Sequence, residues 1–228
     1  MSSRTDAAHA ATPRFSAVIF DLDGTLVDSA PDLCGVINHM LAEHGRPQLD
    51  LQDIRKMVGD GAAKLIERGF GATGGLPAPL PDLTKRFIEI YATRVAKLTR
   101  PFPGVTETLS RLKGAGVRLG VCTNKPTGLS RQLLDALKLL PLFDCLVGGD
   151  VPARKPDPRH VRMVMDQLGA EPNATLMVGD SKNDVVAARG AGIKVVVVPF
   201  GYTVIPPADL GADLVLGSFS ELQDFVGV

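Results

Sequence analysis

Apolar residues fall along this chain in two rhythms, and the changes of rhythm mark its organisation. Ala17-Val18-Ile19-Phe20 is a short continuous apolar run rich in β-formers, as in a strand buried on both faces. Beyond it, Leu33, Ile37, Met40 and Leu41 recur at helical spacing over 31–43, with Ser29 placed to cap and Pro31 suited to the first turn. His44-Gly45-Arg46-Pro47 stops that helix. Further helices are predicted over 51–58, 62–70 and 83–98, the last turning Phe87, Ile90, Tyr91, Val95 and Leu98 inward. The stretch 71–81, dense in Gly and Pro, reads as a loop. No strand is predicted over 31–99, so this part reads as a small helical bundle.

From Pro101 onward strands and helices alternate. Helices are predicted over 105–115, 128–139, 158–168 and 183–191, and strands over 117–122, 145–148, 175–178 and 195–198. A strand over 214–216 and a short helix over 220–225 close the chain. Apolar strands separated by helices imply βαβ units and a parallel sheet with helices on both faces. The opening strand belongs to that sheet, which makes the helical segment an insertion. The expected division is a disordered leader over 1–14, a core over 15–28 and 100–228, and a helical cap over 29–99.

Open parallel sheets bind ligands beyond the carboxyl ends of their strands, so the polar residues there carry the information. The first strand ends in Asp21-Leu22-Asp23-Gly24-Thr25. Extended backbone would set Asp21 and Asp23 on one side, and two adjacent carboxylates repel unless a cation or a shared proton relieves them. The strand over 117–122 runs into Thr123-Asn124-Lys125-Pro126, and Arg154-Lys155-Pro156-Asp157 opens a later helix. The strand over 175–178 ends in Gly179-Asp180-Ser181-Lys182-Asn183-Asp184. Each group alone has a bland explanation: an acidic turn, a helix cap, a solvated lysine. Together they suit a phosphate and a hard cation.

Composition removes other classes. Lys plus Arg and Asp plus Glu both number 25, so no basic field draws nucleic acid or anionic membrane. The absence of tryptophan argues against a base-stacking surface. Cys34, Cys122 and Cys145 are scattered and odd in number, which fits a reducing compartment and no disulfide framework. The longest apolar run, over 195–200, is far too short to span a bilayer, and 1–14 lacks the apolar stretch of a signal peptide. A soluble cytoplasmic protein is expected, monomeric or homodimeric.

In these four motifs and their order the chain resembles the haloacid dehalogenase superfamily, in the branch of phosphatases with a helical cap inserted after the first strand. The resemblance covers Ala17 to about Phe225. Within the branch, Val58-Gly59-Asp60-Gly61-Ala62-Ala63-Lys64-Leu65 is most similar to phosphoglycolate phosphatases. It implies a Rossmann-like α/β core and a phosphomonoesterase working through an aspartyl-phosphate. Asp21 is then the nucleophile and Asp23 the general acid and base. Thr123, Asn124 and Lys155 hold the phosphoryl group. Mg²⁺ is bound by Asp21, Asp180 and the Asp23 backbone carbonyl, with Asp184 supporting from outside. The implied substrate is a small phosphate ester, 2-phosphoglycolate foremost. Gly59 and Gly61 would offer amides to it, and Lys64 and Arg68 are candidate partners for its carboxylate, against the plainer reading of two solvated charges. A phosphosugar mutase of the β-phosphoglucomutase type uses the same core residues, and a non-catalytic phospho-ligand-binding module is the third alternative.

Overall fold

The structure, a computed structural model, describes residues 13–228; the leader expected over 1–14 therefore lies almost wholly outside the described residues. Arg14 is described, and its amide donates to the Val226 carbonyl at 2.7 Å. In chain order the elements are β1 (Ala17–Phe20), β2 (Val27–Asp28), α1 (Ala30–Glu43), α2 (Leu51–Met57), α3 (Ala62–Gly71), α4 (Leu80–Ala92) and β3 (Arg100–Pro101). There follow α5 (Val105–Gly114), β4 (Arg118–Cys122), α6 (Thr127–Ala136), β5 (Cys145–Val147), α7 (Pro158–Leu168) and β6 (Thr175–Gly179). The chain closes with α8 (Lys182–Ala191), β7 (Lys194–Val197), β8 (Leu214–Val215) and α9 (Glu221–Val226).

Six strands form one parallel sheet in the order β5-β4-β1-β6-β7-β8. The order reverses direction at β1, so the crevice beyond the ends of β1, β4 and β6 is the topological switch point where ligands bind in such sheets. Because successive side chains alternate faces, the strands feed two apolar layers. Val18, Phe20, Leu119, Val121, Leu176 and Val178 pack with α5, α6 and α9. Ala17, Ile19, Cys122, Met177, Val195 and Val197 pack with α7 and α8. Burial on both faces is why these strands lack the polar alternation of a half-exposed sheet.

The inserted helices α1 to α4 bury Leu33, Ile37, Met40, Ile54, Ile66, Phe70 and Phe87 in a cluster continuous with the first of those layers. The chain enters and leaves them through an antiparallel ribbon that pairs Val27 with Pro101 and Asp28 with Arg100. Two residues per strand is too short to leave a periodic signal, and the ribbon escapes a reading of the sequence.

The fourth helix differs from its expected span. It begins at Leu80, taking Pro81 into its first turn, where a missing N–H costs nothing. It stops at Ala92 rather than continuing to 98. Further on, Asp32 of α1 holds the chain, its Oδ2 accepting the amides of Leu98 and Thr99 and the Thr99 hydroxyl, each at 2.8 Å. These bonds draw the chain toward β3 and leave Leu98 half exposed, not inward. Ser29 sits at the N-cap of α1 as expected, but its hydroxyl does not cap. It is given to Asp23 instead, at 2.5 Å.

Candidate active site

The ends of β1, β4 and β6 bring the predicted core residues together. Asp21 follows β1 directly, its amide still bonded across the sheet to the Val178 carbonyl at 3.0 Å. Asp180 follows β6, and Asp184 lies one turn into α8. Oxygens of Asp21, Asp180 and Asp184 lie within 4.8 Å of one another, and all three residues are buried. Lys155, from the segment before α7, places Nζ 2.8 Å from Asp21 and 2.7 Å from Asp184. One ammonium among three carboxylates leaves a local excess of negative charge, the condition that favours a hard oxygen-seeking cation.

The electrostatics follow from that imbalance. Burial pushes the Asp21 carboxyl up to about 6; Lys155 works against this and Asp184 with it. Burial, Asp184 and Asp21 in turn hold Asp180 well above the usual carboxylate range. For Lys155, burial favours the neutral amine, but Asp184 and Asp21 outweigh it and keep the ammonium. A divalent cation among Asp21 and Asp180 would remove the conflict, so this donor set fits one.

Each acid is positioned by bonds that leave its other functions open. Asp180 accepts from the Thr25 hydroxyl at 3.0 Å and from the Tyr202 amide at 2.7 Å. Asp184 accepts through Oδ2 from the amides of Asp180 and Ser181 and from the Ser181 hydroxyl, and through Oδ1 from Lys155. It therefore closes the start of α8 and steadies Asp180 at once, combining the capping reading with the functional one. Gly24 has a φ of 90°, and a Cβ there would stand 2.6 Å from an Asp180 oxygen. Only glycine lets the turn after β1 press this close to the acid.

Beside the cluster, Asp23 lines a small, partly open cavity. The core contributes Asp21, Thr123, Asn124 and Lys125 to its walls, and the inserted helices contribute Gly59, Gly61, Leu65, Phe87 and Tyr91. Thr123 is buried, and its hydroxyl accepts the Lys125 amide at 3.2 Å. Asn124 donates through Nδ2 to the carbonyls of Gly59 at 3.0 Å and Lys155 at 2.9 Å, tying the helical segment to the core. Gly61, at φ 87°, lies so near that a Cβ would meet the Asn124 carbonyl at 3.1 Å.

Of the two charges predicted on the helical segment, neither lines this cavity, but Arg68 lines an adjoining one with Asp23, Asp60 and Asp180. Lys64 is exposed and paired with Glu67 at 2.6 Å. Arg68 is held by Asp60 and by the Met57 carbonyl at 2.8 Å. Asp60 in turn accepts from Asn183 of the core at 2.6 Å. Burial would raise the Asp60 carboxyl, but the bonds from Asn183 and Arg68 outweigh it and hold it below the usual range. Arg68 thus braces a contact between the two parts of the chain and lies outside the small cavity.

Two residues that reading the sequence did not single out complete the arrangement. Lys125 Nζ lies 3.1 Å from each oxygen of Asp23. His160, the third residue of α7, is buried and accepts the Lys155 amide at 3.1 Å through Nδ1. Lys125 stood within the motif after β4, so its position was a usable signal; nothing in the sequence marked His160.

Residues 18–198 match the family model described as haloacid dehalogenase-like hydrolase. The chain belongs to this family. As a member it is an enzyme, a hydrolase of the phosphatase kind. It is 51% identical over 213 residues to the phosphoglycolate phosphatase of Caulobacter vibrioides, covering 91% of this chain and 89% of that one. Among solved structures, a predicted phosphoglycolate phosphatase from Haemophilus somnus superposes with a TM-score of 0.87 at 33% identity, covering 93% of this chain and 98% of the other. CbbY from Rhodobacter sphaeroides in complex with phosphate superposes at 0.79 with 29% identity, covering 91% and 96%. The hydrolase's Rossmann-like core with inserted cap is the architecture these neighbours share. Among its described residues no helix is long and apolar enough to cross a membrane.

Proposed function

We propose that this hydrolase is a Mg²⁺-dependent phosphomonoesterase that converts 2-phosphoglycolate to glycolate and phosphate. The observation that carries the reading is the convergence of Asp21, Lys155, Asp180 and Asp184 beside a cavity lined by Asp21, Asp23, Thr123 and Lys125. Asp21, Asp180 and the Asp23 backbone carbonyl would hold the cation, which supplies charge neutralisation that lets an anion approach a phosphate dianion. Asp184, already saturated by four donors, orients the shell from behind.

In the first half-reaction a carboxylate oxygen of Asp21 bonds to phosphorus and the bond from phosphorus to the ester oxygen breaks. Asp23 delivers its proton to that departing oxygen. Lys155, with the Thr123 hydroxyl and the Asn124 amide, stabilises charge on the phosphoryl oxygens. In the second half Asp23 takes a proton from water, whose oxygen attacks phosphorus and restores the Asp21 carboxylate. Closure of the helices over the cavity keeps bulk water from the intermediate.

The proposed division assigns 15–28 and 100–228 to the core and 29–99 to the cap, with the β2–β3 ribbon as the hinge. A cytoplasmic location accords with three unpaired cysteines. The test is phosphate release from a panel of small phosphoesters, with and without Mg²⁺, beside Asp21→Asn. The expected result is a metal-dependent preference for 2-phosphoglycolate and no turnover by the variant. Equal turnover by Asp21→Asn overturns the mechanism; a flat substrate profile overturns the substrate.

A further inference from the structure

Lys125 is buried deeply enough that a lysine there needs a reason. Its side chain is 5% exposed, with Nζ 3.1 Å from both Asp23 oxygens and 4.4 Å from the centre of the Tyr91 ring. Tyr91 comes from α4 and Asp23 from the core, so the ammonium lies where the two parts meet. Burial favours the neutral amine, but Asp23 and then Tyr91 outweigh it and keep Lys125 charged. Lys125 alone among the described residues lining the small cavity carries a positive charge. The cap side of that cavity is otherwise apolar, with Leu65, Phe87 and Tyr91. The Tyr91 ring face attracts the ammonium and helps to hold it beside Asp23.

We propose that Lys125 is the specificity residue of this enzyme: its ammonium pairs with a carboxylate carried by the substrate on the carbon next to the ester oxygen. The inference rests on the substrate class proposed above and assigns the residue that selects it. Asp23 is the group that meets the ester oxygen, and Lys125 touches Asp23. An anionic group one carbon beyond that oxygen therefore falls within the lysine's reach. The phosphoryl end has its own cation in Lys155, 2.8 Å from Asp21 and not among the residues lining the cavity. Two ammonium groups, one for each end, match a short molecule charged at both ends. An uncharged leaving group would gain nothing from the second. Lys64 and Arg68 do not line this cavity.

The experiment compares kcat/KM for 2-phosphoglycolate and for ethyl phosphate, of the same carbon number but without the carboxylate, in wild type, Lys125→Met and Lys125→Arg. Loss of a desolvated charge partner should lower the 2-phosphoglycolate to ethyl phosphate ratio by at least about 30-fold in Lys125→Met. Lys125→Arg, which keeps the charge, should retain a ratio well above that of Lys125→Met. A second readout is competitive inhibition: the Ki of 3-phosphonopropionate should rise in Lys125→Met far more than that of orthophosphate. A purely structural lysine would depress both substrates and both inhibitors alike, and that result overturns the proposal. An unchanged ratio with wild-type preference intact also overturns it while leaving the proposed substrate standing. No wild-type preference for the carboxylated ester overturns both.

Discussion

Replacing Asp180 by asparagine should stabilise the metal-free protein while abolishing catalysis. The acid is 3% exposed and shares a 4.8 Å cluster with Asp21 and Asp184. Two unit charges at that distance repel by about 3.5 kcal/mol at an effective dielectric constant of 20. Asp180 faces two such neighbours, and Lys155, bonded to both of them, offsets only part. Burial and then those charges raise its carboxyl, and the sign of the linkage follows. A carboxyl raised in the folded state favours the fold below its unfolded value and loses that contribution as pH rises through the folded one. At neutral pH the metal-free fold thus holds either a repelled charge or a proton bound at a cost.

Asparagine removes both and fits the site. Its Oδ1 can keep the Tyr202 amide, while the Thr25 hydroxyl turns to accept from Nδ2. Relief of a buried charge conflict is worth about 1–4 kcal/mol, and each kcal/mol moves the melting temperature by about 2–4 °C at this chain length. The assay is thermal unfolding in EDTA and again with excess Mg²⁺. In EDTA the variant should melt higher. With the ion at about 100 times its Kd the wild type gains about 2.7 kcal/mol and the variant far less, so the gap narrows or inverts. A variant that melts below wild type in EDTA, or that gains as much from Mg²⁺, refutes the reasoning.

Removing the counter-charge should do the opposite: Lys155→Met leaves Asp21 and Asp184 unpaired in the core. It should cost about 3–5 kcal/mol in urea unfolding of the metal-free protein, together with turnover. His160 gives the pH dependence. Burial, then the neighbouring Lys155, lowers the imidazole to about 4, so its contribution is complete above the unfolded value of 6.5 and is lost as pH falls through about 4. Urea unfolding of wild type between pH 6.5 and 4 should show a loss of up to about 3 kcal/mol that His160→Gln lacks.

The fold was legible because its central strands are buried on both faces, which concentrates apolar residues into runs such as Ala17–Phe20 and 195–198. The core constellation was legible for a related reason. A parallel sheet delivers every strand's carboxyl end to one edge, so Asp21, Thr123, Lys155 and Asp180 meet although they are far apart in sequence. What escaped was settled by contacts that leave no local pattern. Asp32 ends the path toward β3 by taking the amides of Leu98 and Thr99, across more than sixty residues. Ser29 looked like a cap and instead holds Asp23, because the turn after β1 brings that carboxylate to it. Lys64 and Arg68 had the right charge beside the right turn. Helical spacing gave Lys64 a partner in Glu67, and the fold gave Arg68 one in Asp60.

The proposed role of Lys125 divides the selecting between the core and the cap. Sequence reasoning assigned specificity to the cap, since the core alone recognises a phosphoryl group. In the closed structure the cap meets the core through polar contacts at its rim, Gly59 on Asn124 and Asp60 on Asn183, and presents Leu65, Phe87 and Tyr91 to the cavity. An apolar lid lowers the effective dielectric constant over groups the core already holds, and every Coulombic preference beneath it grows in proportion. A single lysine on the core can then distinguish a carboxylate from a methyl group, a task the same lysine would perform poorly in open water. Specificity in this arrangement is a product of two parts: a charge fixed at the end of β4, and helices that remove the water which would otherwise screen it.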